Sequence, residues 1–173
     1  MRTYTRVRIP GACYFFTVNL AQRRGNSLLI RKIADLREAF RRVRRKHPFR
    51  IEAIVILPDH RHSIWQLPAE DSDFPMRWRL IKARFSRAIA TGERISASRV
   101  RKGERGIWQR RFWEHMIRNA EDYRRHVDYN PVKHGYVTAA REWPYSSFHA
   151  YVERGVYPAD WGTPPDVSDM ELE

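Results

Sequence analysis

The sequence predicts an α+β fold of the ferredoxin-like class: a split β-α-β antiparallel sheet with helices on one face, followed by a C-terminal helix and tail. Three observations predict it. Four short segments are rich in aromatic and β-branched residues, as strands are. Two longer segments repeat apolar residues at helical spacing. Their order is strand–helix–strand–strand–helix–strand, and the uncovered face of such a sheet would offer a platform for nucleic acid.

The first half of the chain supplies a strand, a helix and a hairpin. Residues 13–21 (CYFFTVNLA) predict the first strand. Residues 28–47 predict a helix, since apolar side chains recur every three or four positions and a proline ends the pattern. Residues 49–58 and 60–67 predict two strands that are joined by a short turn and therefore pair as a hairpin.

The second half of the chain predicts a further strand and three helices, and it contains a highly charged segment. Asp73 is a candidate N-cap for the second long helix. The segment after that helix has many charges and no periodicity, which predicts a flexible loop; phosphate contact and simple solvation both explain its charges. The predicted elements are a helix over 73–92, this loop over 93–106, a strand over 107–119, a helix over 120–135 interrupted at Asn130-Pro131, and a short helix within 143–162.

The chain length of 173 residues suits one domain. We expect residues 1–162 to form it and residues 163–173, which are acidic, to form a flexible tail. Cys13 is the single cysteine, so no internal disulfide is expected and a cytoplasmic setting is natural. No run of 18 apolar residues occurs, so we expect no membrane span.

The charge predicts a nucleic-acid partner. The formal net charge is +13, and arginines outnumber lysines 28 to five. Arginine suits phosphates and base edges and also stacks on rings. Aromatic residues make up 13% of the chain, which favours unpaired strands whose bases can stack. A basic surface that merely solvates the protein is the alternative.

The stretch LPDHRHSIWQLP (57–68) places two histidines two residues apart at the start of a strand. Alternate side chains of a strand point to the same face, so His60 and His62 project together and Arg61 projects to the other face. Two neutral imidazoles on one face can bind one divalent metal; two unrelated surface histidines are the alternative. A buried arginine needs acceptors, so we expect Arg61 near the sheet edge or reaching water.

Five motifs in order carry a family resemblance: FFTVNL, LPDHRHSIWQLP, IWQRRFWEHMIRN, DYRRHVDY and NPVKHGYV. From about Tyr14 to about Trp161 the chain resembles the REP-associated tyrosine transposases, a branch of the single-tyrosine HUH transposases. The resemblance implies a domain that nicks single-stranded DNA at REP hairpins and transfers strands. It also implies Mg²⁺ or Mn²⁺ on His60 and His62, and attack by Tyr129 to give a 5′-phosphotyrosine and a free 3′-OH.

The chain departs from the family pattern in two places. Arg61 stands where the family has a hydrophobic residue between the histidines. About three residues are also missing after Tyr129, so that Asn130 follows it directly, whereas relatives place an Asn or Gln four positions later, facing the metal. Asn130 is therefore either a third metal ligand or the N-cap of a new turn at Pro131. Tyr123 is the alternative nucleophile.

The partner implied by the resemblance is single-stranded DNA with REP-type hairpins. We expect a nucleoid-associated protein of the cytoplasm; the sequence leaves its oligomeric state open, and a monomer is one of the states it allows. A non-catalytic hairpin-binding protein is the alternative if the shortening disables the site, and a general RNA-binding module is disfavoured because it needs no histidine pair. We expect DNA phosphates to contact the basic residues that flank the site, namely Arg79, Lys82, Arg84, Arg110, Arg111, Arg118, Lys133 and His134.

Overall fold

The computed structural model describes residues 8–118 and 120–162. Within them, four strands form one sheet in the spatial order β2-β3-β1-β4, and every neighbouring pair is antiparallel. This is the predicted split β-α-β arrangement, and it confirms the fold class. The strands are β1 (Cys13–Asn19), β2 (Arg50–Ile56), β3 (His60–Gln66) and β4 (Trp113–Ile117).

Six helices accompany the sheet in the described residues: α1 (Leu28–Arg31), α2 (Ile33–Lys46), α3 (Phe74–Ala88), α4 (Ala97–Val100), α5 (Ala120–Lys133) and α6 (Phe148–Glu153). A 3-10 turn spans Ala140–Glu142. Asp73 caps α3 as predicted, because its carboxylate accepts a hydrogen bond from the Met76 backbone N–H at 3.1 Å. None of the helices in this part of the chain combines the length and the apolar character that crossing a membrane demands.

The first face of the sheet packs against α2 and α3 and holds the larger core. The rings of Trp65 and Trp78 stack with their centroids 4.0 Å apart, and Phe16 meets the Trp65 ring at 4.8 Å. All three side chains are fully buried. Burial of large aromatic rings contributes much of the free energy of folding, so this face anchors the domain.

The second face, which the sequence predicted to be uncovered, is partly covered by a helix. Helix α5 packs over β2 and β3, where Val127 joins a smaller core with Phe15, Val55 and Ile64. The β4 side of this face is open, since Trp113 is 52% exposed. The predicted platform for nucleic acid is thus reduced to the half of the sheet that α5 leaves uncovered.

Helix α5 continues through Pro131, whereas the sequence predicted an interruption there. Proline removes one helical N–H donor and crowds the preceding turn. The helical pattern resumes with the His134 N–H on the Asn130 carbonyl at 2.9 Å, and the Tyr136 N–H then closes the helix end on the Pro131 carbonyl at 2.9 Å. Pro131 itself is buried, so packing offsets the lost hydrogen bond.

Two other elements differ from the prediction. The helix predicted over 28–47 is divided into α1 and α2, which meet at Lys32. The segment 93–106, predicted as a flexible loop, contains α4 and is held against α3. Arg105 donates to the Ser86 carbonyl at 2.9 Å and is paired with Glu93, and Arg99 donates to the Trp108 carbonyl at 2.8 Å. The predicted tail over 163–173 lies outside the described residues.

Arg61 is fully buried, which contradicts the expected position at an edge or in water. Its guanidinium carbon lies 4.2 Å from the Trp78 ring centroid, 4.6 Å from that of Phe40 and 5.3 Å from that of Trp108. Within the described residues none of its three nitrogens has a hydrogen-bond partner. Aromatic faces attract a cation, most strongly when it is desolvated, so three rings surround the buried guanidinium in place of hydrogen-bond acceptors.

We predict that Arg61→Met leaves the free energy of unfolding unchanged or raises it by about 1–4 kcal/mol. A methionine of similar length avoids the cost of burying a charge, which a buried ion repays only with good partners. Arg61→Ala is the control and should lower the free energy of unfolding by about 2–5 kcal/mol, because it leaves a cavity. Urea denaturation measures both variants. A loss of several kcal/mol in Arg61→Met would mean that the cation–ring contacts outweigh the desolvation cost.

Candidate functional site

The candidate site lies where the start of β3 meets the end of α5. His60 and His62 point to the second face of the sheet, the face that carries Ile64 and α5. His134 follows the last residue of α5. The ring centroids of His60 and His62 are 5.1 Å apart, as are those of His60 and His134. One ring nitrogen of each histidine lies within 4.8 Å of the others, so this histidine triad could hold one divalent metal ion.

His62 is oriented by the neighbouring strand. Thr17 is its cross-strand partner on β1, and the Thr17 hydroxyl lies 2.9 Å from His62 Nδ1. His62 Nε2 is buried and has no hydrogen-bond partner among the described residues. Burial, and after it the charges of His60 and His134, lower the pKa of His62 to about 3. The ring is therefore neutral, and its Nε2 lone pair is available as a ligand.

His60 is oriented by a carboxylate. Its Nδ1 lies 2.6 Å from Asp59 Oδ1, and Arg23 donates to Asp59 Oδ2 at 2.6 Å. Burial raises the pKa of Asp59, but the hydrogen bonds from His60 and Arg23 outweigh it and keep that pKa below its ordinary value. An ionised Asp59 accepts the Nδ1 proton, which leaves Nε2 to face a metal. A carboxylate behind a histidine is the usual support of a metal ligand.

Burial lowers the pKa of His60 more than Asp59 raises it, and burial together with the charge of His60 lowers the pKa of His134. All three rings of the triad are therefore neutral near pH 7. The sequence predicted His134 only as a DNA contact. The signal that could have identified it is its position four residues after Asn130, which puts the two side chains on the same side of a helix.

The Asn130 side chain is tied to its own helix. Its side-chain nitrogen donates to the His126 carbonyl at 2.6 Å, and its Oδ1 is the atom that a metal would use. The role of Asn130 as a third ligand stays a prediction.

The two candidate tyrosines lie on different sides of α5. The Tyr123 ring centroid is 5.8 Å from those of Phe15 and His115, and Phe15 stacks on His62 at 5.5 Å. At about 100° per residue, Tyr123 and His134 differ in direction by about 20°, whereas Tyr129 and His134 differ by about 140°.

Tyr129 faces the C-terminal segment. Its ring carbon Cδ2 lies 3.8 Å from the point that a Cβ on Gly162 would occupy, and the Cβ of Ala140 lies 3.0 Å from the same point. The sequence led us to expect the Tyr129 hydroxyl to be aimed at His60 and His62. The described conformation instead places Tyr129 beside Ala140 and Gly162, and its role as the nucleophile stays a prediction.

The residue before Tyr129 fixes the helix to the sheet. Asp128 is fully buried. The Ser147 hydroxyl donates to Asp128 Oδ1 at 2.7 Å and accepts from the Ile54 backbone N–H at 3.0 Å. Asp128 therefore joins α5 to β2 through Ser147. Asp128 lies within the HVDY motif, but no role had been predicted for it.

The predicted DNA contacts fall into separate groups. Arg79, Lys82 and Arg110 line one groove of about 750 Å³ beside α3. Lys82 donates to the Gln109 carbonyl at 2.9 Å, and Arg110 pairs with Glu104 at 2.7 Å. The remaining predicted contacts lie elsewhere: Arg84 lines a pocket between α2 and α3 with Asp35 and Glu38, and Arg111, Arg118 and Lys133 are exposed around β4 and the end of α5.

A ferredoxin-like sheet with a histidine pair on its third strand, crossed by a helix that carries tyrosines, defines the class of single-tyrosine HUH transposases. No protein-family model matches the chain. Two curated proteins are similar over nearly their whole length. The REP-associated tyrosine transposase of Escherichia coli (strain K12) is 49% identical over 173 residues, which cover 98% of this chain and 95% of that protein. The putative REP-associated tyrosine transposase of Haemophilus influenzae (strain ATCC 51907 / DSM 11121 / KW20 / Rd) is 44% identical over 171 residues, which cover 96% and 97%.

A solved structure agrees with the curated relatives. It is a REP-associated tyrosine transposase bound to a REP hairpin, 45% identical, with a TM-score of 0.79 and full coverage of both chains. The chain therefore belongs to the REP-associated tyrosine transposase family, a family of DNA transposases.

We predict that Asp128→Asn makes stability less dependent on pH. Burial raises the pKa of Asp128 from 3.8 to about 7, against the hydrogen bond from Ser147. Between these two values the folded protein holds a proton that the unfolded chain has lost, so the Asp128 contribution to the free energy of unfolding falls as pH rises from about 4 to about 7. Asparagine keeps the acceptor for Ser147 but does not titrate.

The advantage of Asp128→Asn over the parent protein should therefore grow up to about pH 7 and then level off. Urea unfolding between pH 5 and 8 measures it. Parallel stability curves for the two proteins across this range would show that Asp128 is ionised throughout.

Proposed function

We propose that the protein nicks single-stranded DNA at REP-like hairpins and transfers the cut strand through a 5′-phosphotyrosine, with a divalent metal at the histidine triad. The observation that carries the proposal is the triad itself, since a protein that only binds nucleic acid needs no such group. The bound hairpin of the solved relative and the net charge of +13 support a hairpin partner. A protein that acts on such chromosomal elements would be found with the nucleoid.

The donor set favours Mn²⁺ over Mg²⁺. Imidazole nitrogens suit transition metals, whereas Mg²⁺ prefers oxygen ligands and its own waters. The buried, unpartnered Nε2 of His62 fits such an ion. When bound, the ion would polarise a phosphate and stabilise the leaving oxygen. Thr17 and Asp59 hold His62 and His60 in the orientation that this role needs.

Tyr129 is the nucleophile in this proposal. Its phenolic oxygen forms a bond to phosphorus while the bond from phosphorus to the 3′ oxygen breaks. The phenol loses one proton and the 3′ oxygen gains one, so no further reactant is needed. A phenol has a pKa of about 10 and is a weak nucleophile near pH 7. The reaction therefore depends on a polarised phosphate, and it requires α5 to turn so that Tyr129 leaves its place beside Gly162.

The basic residues around the triad support DNA binding. Arg111, Arg118 and Lys133 are exposed, and cations at such positions contact phosphates without regard to sequence. The groove that holds Arg79, Lys82 and Arg110 lies beside α3, on the far side of the sheet from the triad. A hairpin long enough to reach both this groove and the histidine triad would wrap around the sheet edge formed by β4.

A second candidate function is hairpin binding without cleavage. The position of Tyr129 beside Ala140 favours it, as does the shortening that follows Tyr129. Only the cleaving protein would form a covalent adduct with DNA, so this product distinguishes the two functions.

We predict that His62→Ala abolishes Mn²⁺ binding and DNA cleavage while hairpin binding persists. The variant lacks one of the three proposed metal ligands, so the ion is no longer held. The phosphate contacts that bind the hairpin lie elsewhere and remain. Thr17→Val should weaken Mn²⁺ binding about 10- to 100-fold, since it removes the support of a ligand. Titration calorimetry with Mn²⁺ alone measures the Mn²⁺ affinity of both variants. His149→Ala changes an exposed histidine outside the triad and serves as the control. Undiminished cleavage in a His60/His62 double alanine variant would refute the metal site.

We predict that Tyr129→Phe abolishes the covalent adduct with a REP hairpin in Mn²⁺, while Tyr123→Phe retains it. The first change removes the attacking oxygen and little packing. Denaturing gels with labelled DNA detect the adduct. If Tyr123→Phe is the inactive variant, the tyrosine nearer the triad is the nucleophile. If the unmodified protein forms no adduct with any metal, the binding-only function is correct.

A further inference from the structure

An arginine in the loop between β1 and α1 lies beside the histidine triad. Arg23 Nε donates to Asp59 Oδ2 at 2.6 Å, and Arg23 Nη2 lies 3.3 Å from His60 Nδ1. Burial is the largest cause that lowers the pKa of His60, His62 and His134, and the charge of Arg23 acts in the same direction on all three. Arg23 is therefore close enough to affect whatever the triad binds.

Backbone hydrogen bonds hold this loop in place. The Asn26 N–H donates to the Arg23 carbonyl at 3.1 Å and closes a turn, and Gly25 within that turn has a φ of 67°, which suits glycine. The Leu20 N–H donates to the Asp59 carbonyl at 2.9 Å. These bonds fix the backbone on both sides of the contact between Arg23 and Asp59, so little conformational entropy is lost when a ligand binds there.

Two nitrogens of the Arg23 guanidinium lack an acceptor when His60 binds a metal. A histidine that coordinates through Nε2 keeps its proton on Nδ1, and Asp59 Oδ1, 2.6 Å away, accepts that proton. Arg23 Nη2 then cannot donate to Nδ1, and Arg23 Nη1 makes no hydrogen bond within the described residues. A guanidinium edge with two free donors suits an oxyanion that accepts both, and DNA offers such an oxyanion in each phosphate.

Arg23 faces an open groove that an anion can enter. The groove has a volume of about 630 Å³, within the range of about 300–1,000 Å³ that is typical of ligand sites. Arg24 and Tyr136 also line it. The Arg23 side chain is 47% exposed, so a phosphate can reach its outer edge. Asp59 is the single acidic side chain among the described residues of the groove, and Arg23 and His60 already engage it.

We propose that Arg23 binds a DNA phosphate beside the metal ion at the histidine triad, so that DNA and metal bind cooperatively. This inference rests on the proposed function, because it assumes a metal at the triad. The phosphate carries a negative charge that attracts the divalent ion, and the Nη edge of Arg23 holds that charge in place. Each ligand then strengthens the binding of the other by the same factor. A site coupled in this way fills with metal mainly when a DNA strand is present.

The test measures how much DNA strengthens Mn²⁺ binding. Titration calorimetry gives the Mn²⁺ affinity with and without a saturating stem-loop oligonucleotide that carries a four-nucleotide unpaired flank. All proteins carry Tyr123→Phe and Tyr129→Phe, so neither candidate nucleophile can cut the probe. The probe should tighten Mn²⁺ binding by the parent about 5- to 150-fold, the usual range of such coupling, and Arg23→Gln should reduce this coupling factor to about twofold or less. A His60/His62 double alanine variant corrects for Mn²⁺ that the DNA itself takes up.

Two matched variants separate the phosphate contact from other roles of the loop. Arg24 lines the same groove but makes no hydrogen bond or ion pair in the described part of the chain, so Arg24→Gln should leave the coupling factor unchanged. Arg23→Lys keeps the charge but loses the planar fork, and it should restore part of the coupling.

A purely structural role for Arg23 predicts a different result. If Arg23 only supported Asp59, Arg23→Gln would weaken Mn²⁺ binding about 10- to 100-fold, and equally with and without the probe. The coupling factor would then be unchanged. That result, or a parent protein without coupling, would overturn the proposal.

The outcome can be separated from that of the proposed function. Coupling that depends on Arg23, in a protein whose unmodified form makes no covalent adduct, would refute the proposed cleavage and keep the phosphate site. An adduct in the unmodified protein, together with coupling that survives Arg23→Gln, would refute the phosphate site and keep the proposed cleavage. A parent that binds no Mn²⁺ under either condition would refute both the metal site and the coupling.

Discussion

The antiparallel pairing of β3 with β1 decides which chemistry each face of the sheet carries. Thr17 pairs with His62, and Val18 pairs with Arg61. Side chains alternate between faces, so a shift of one residue would send both histidines into the aromatic core and Arg61 towards α5. The larger core prevents such a shift, because Trp65 and Phe16 are fully buried on the opposite face. The aromatic core on the first face fixes the register of β3 and thereby keeps both histidines on the second face.

Arg61 shows how far that core tolerates an unusual residue. Burying a charge costs several kcal/mol, and the described residues offer the Arg61 nitrogens no hydrogen bond. The rings of Trp78, Phe40 and Trp108 surround its guanidinium on the first face. The histidines do not sense this charge by contact, since the sheet lies between. The position between the two histidines can thus hold an arginine without disturbing the histidine triad.

The sequence predicted the features that depend on local rules. The strand alternation at His60 and His62 and the cap at Asp73 require knowledge of only a few neighbouring residues, and both were predicted correctly. The burial of Arg61 and the place of His134 in the triad were not predicted, because the surroundings of both residues come from distant segments. Nothing near Arg61 in the chain reveals Trp78 or Trp108, and the place of His134 depends on α5 continuing through Pro131. Packing across the sheet outweighed the local tendency of proline to end a helix.

The rotation of α5 about its own axis could not be predicted from the sequence either. This rotation decides how far Tyr129 would have to move to reach the histidine triad in the proposed reaction. Turning Tyr129 towards the triad by about 140° would expose Val127 and break the bond between Asp128 and Ser147. Burial of a valine contributes about 1.5–3 kcal/mol, and an uncharged hydrogen bond such as that from Ser147 to Asp128 contributes about 0.5–1.5 kcal/mol. The turn would therefore cost about 2–4.5 kcal/mol.

Specific protein–DNA complexes reach dissociation constants of about 10⁻⁸–10⁻¹¹ M, equivalent to about 11–15 kcal/mol. Part of that free energy is enough to turn the helix. A nucleophile that is held away from the triad until the correct DNA binds would protect other single strands from cleavage. In the proposed reaction, the bond between Ser147 and Asp128 would add to that threshold, because a turn of α5 would break it.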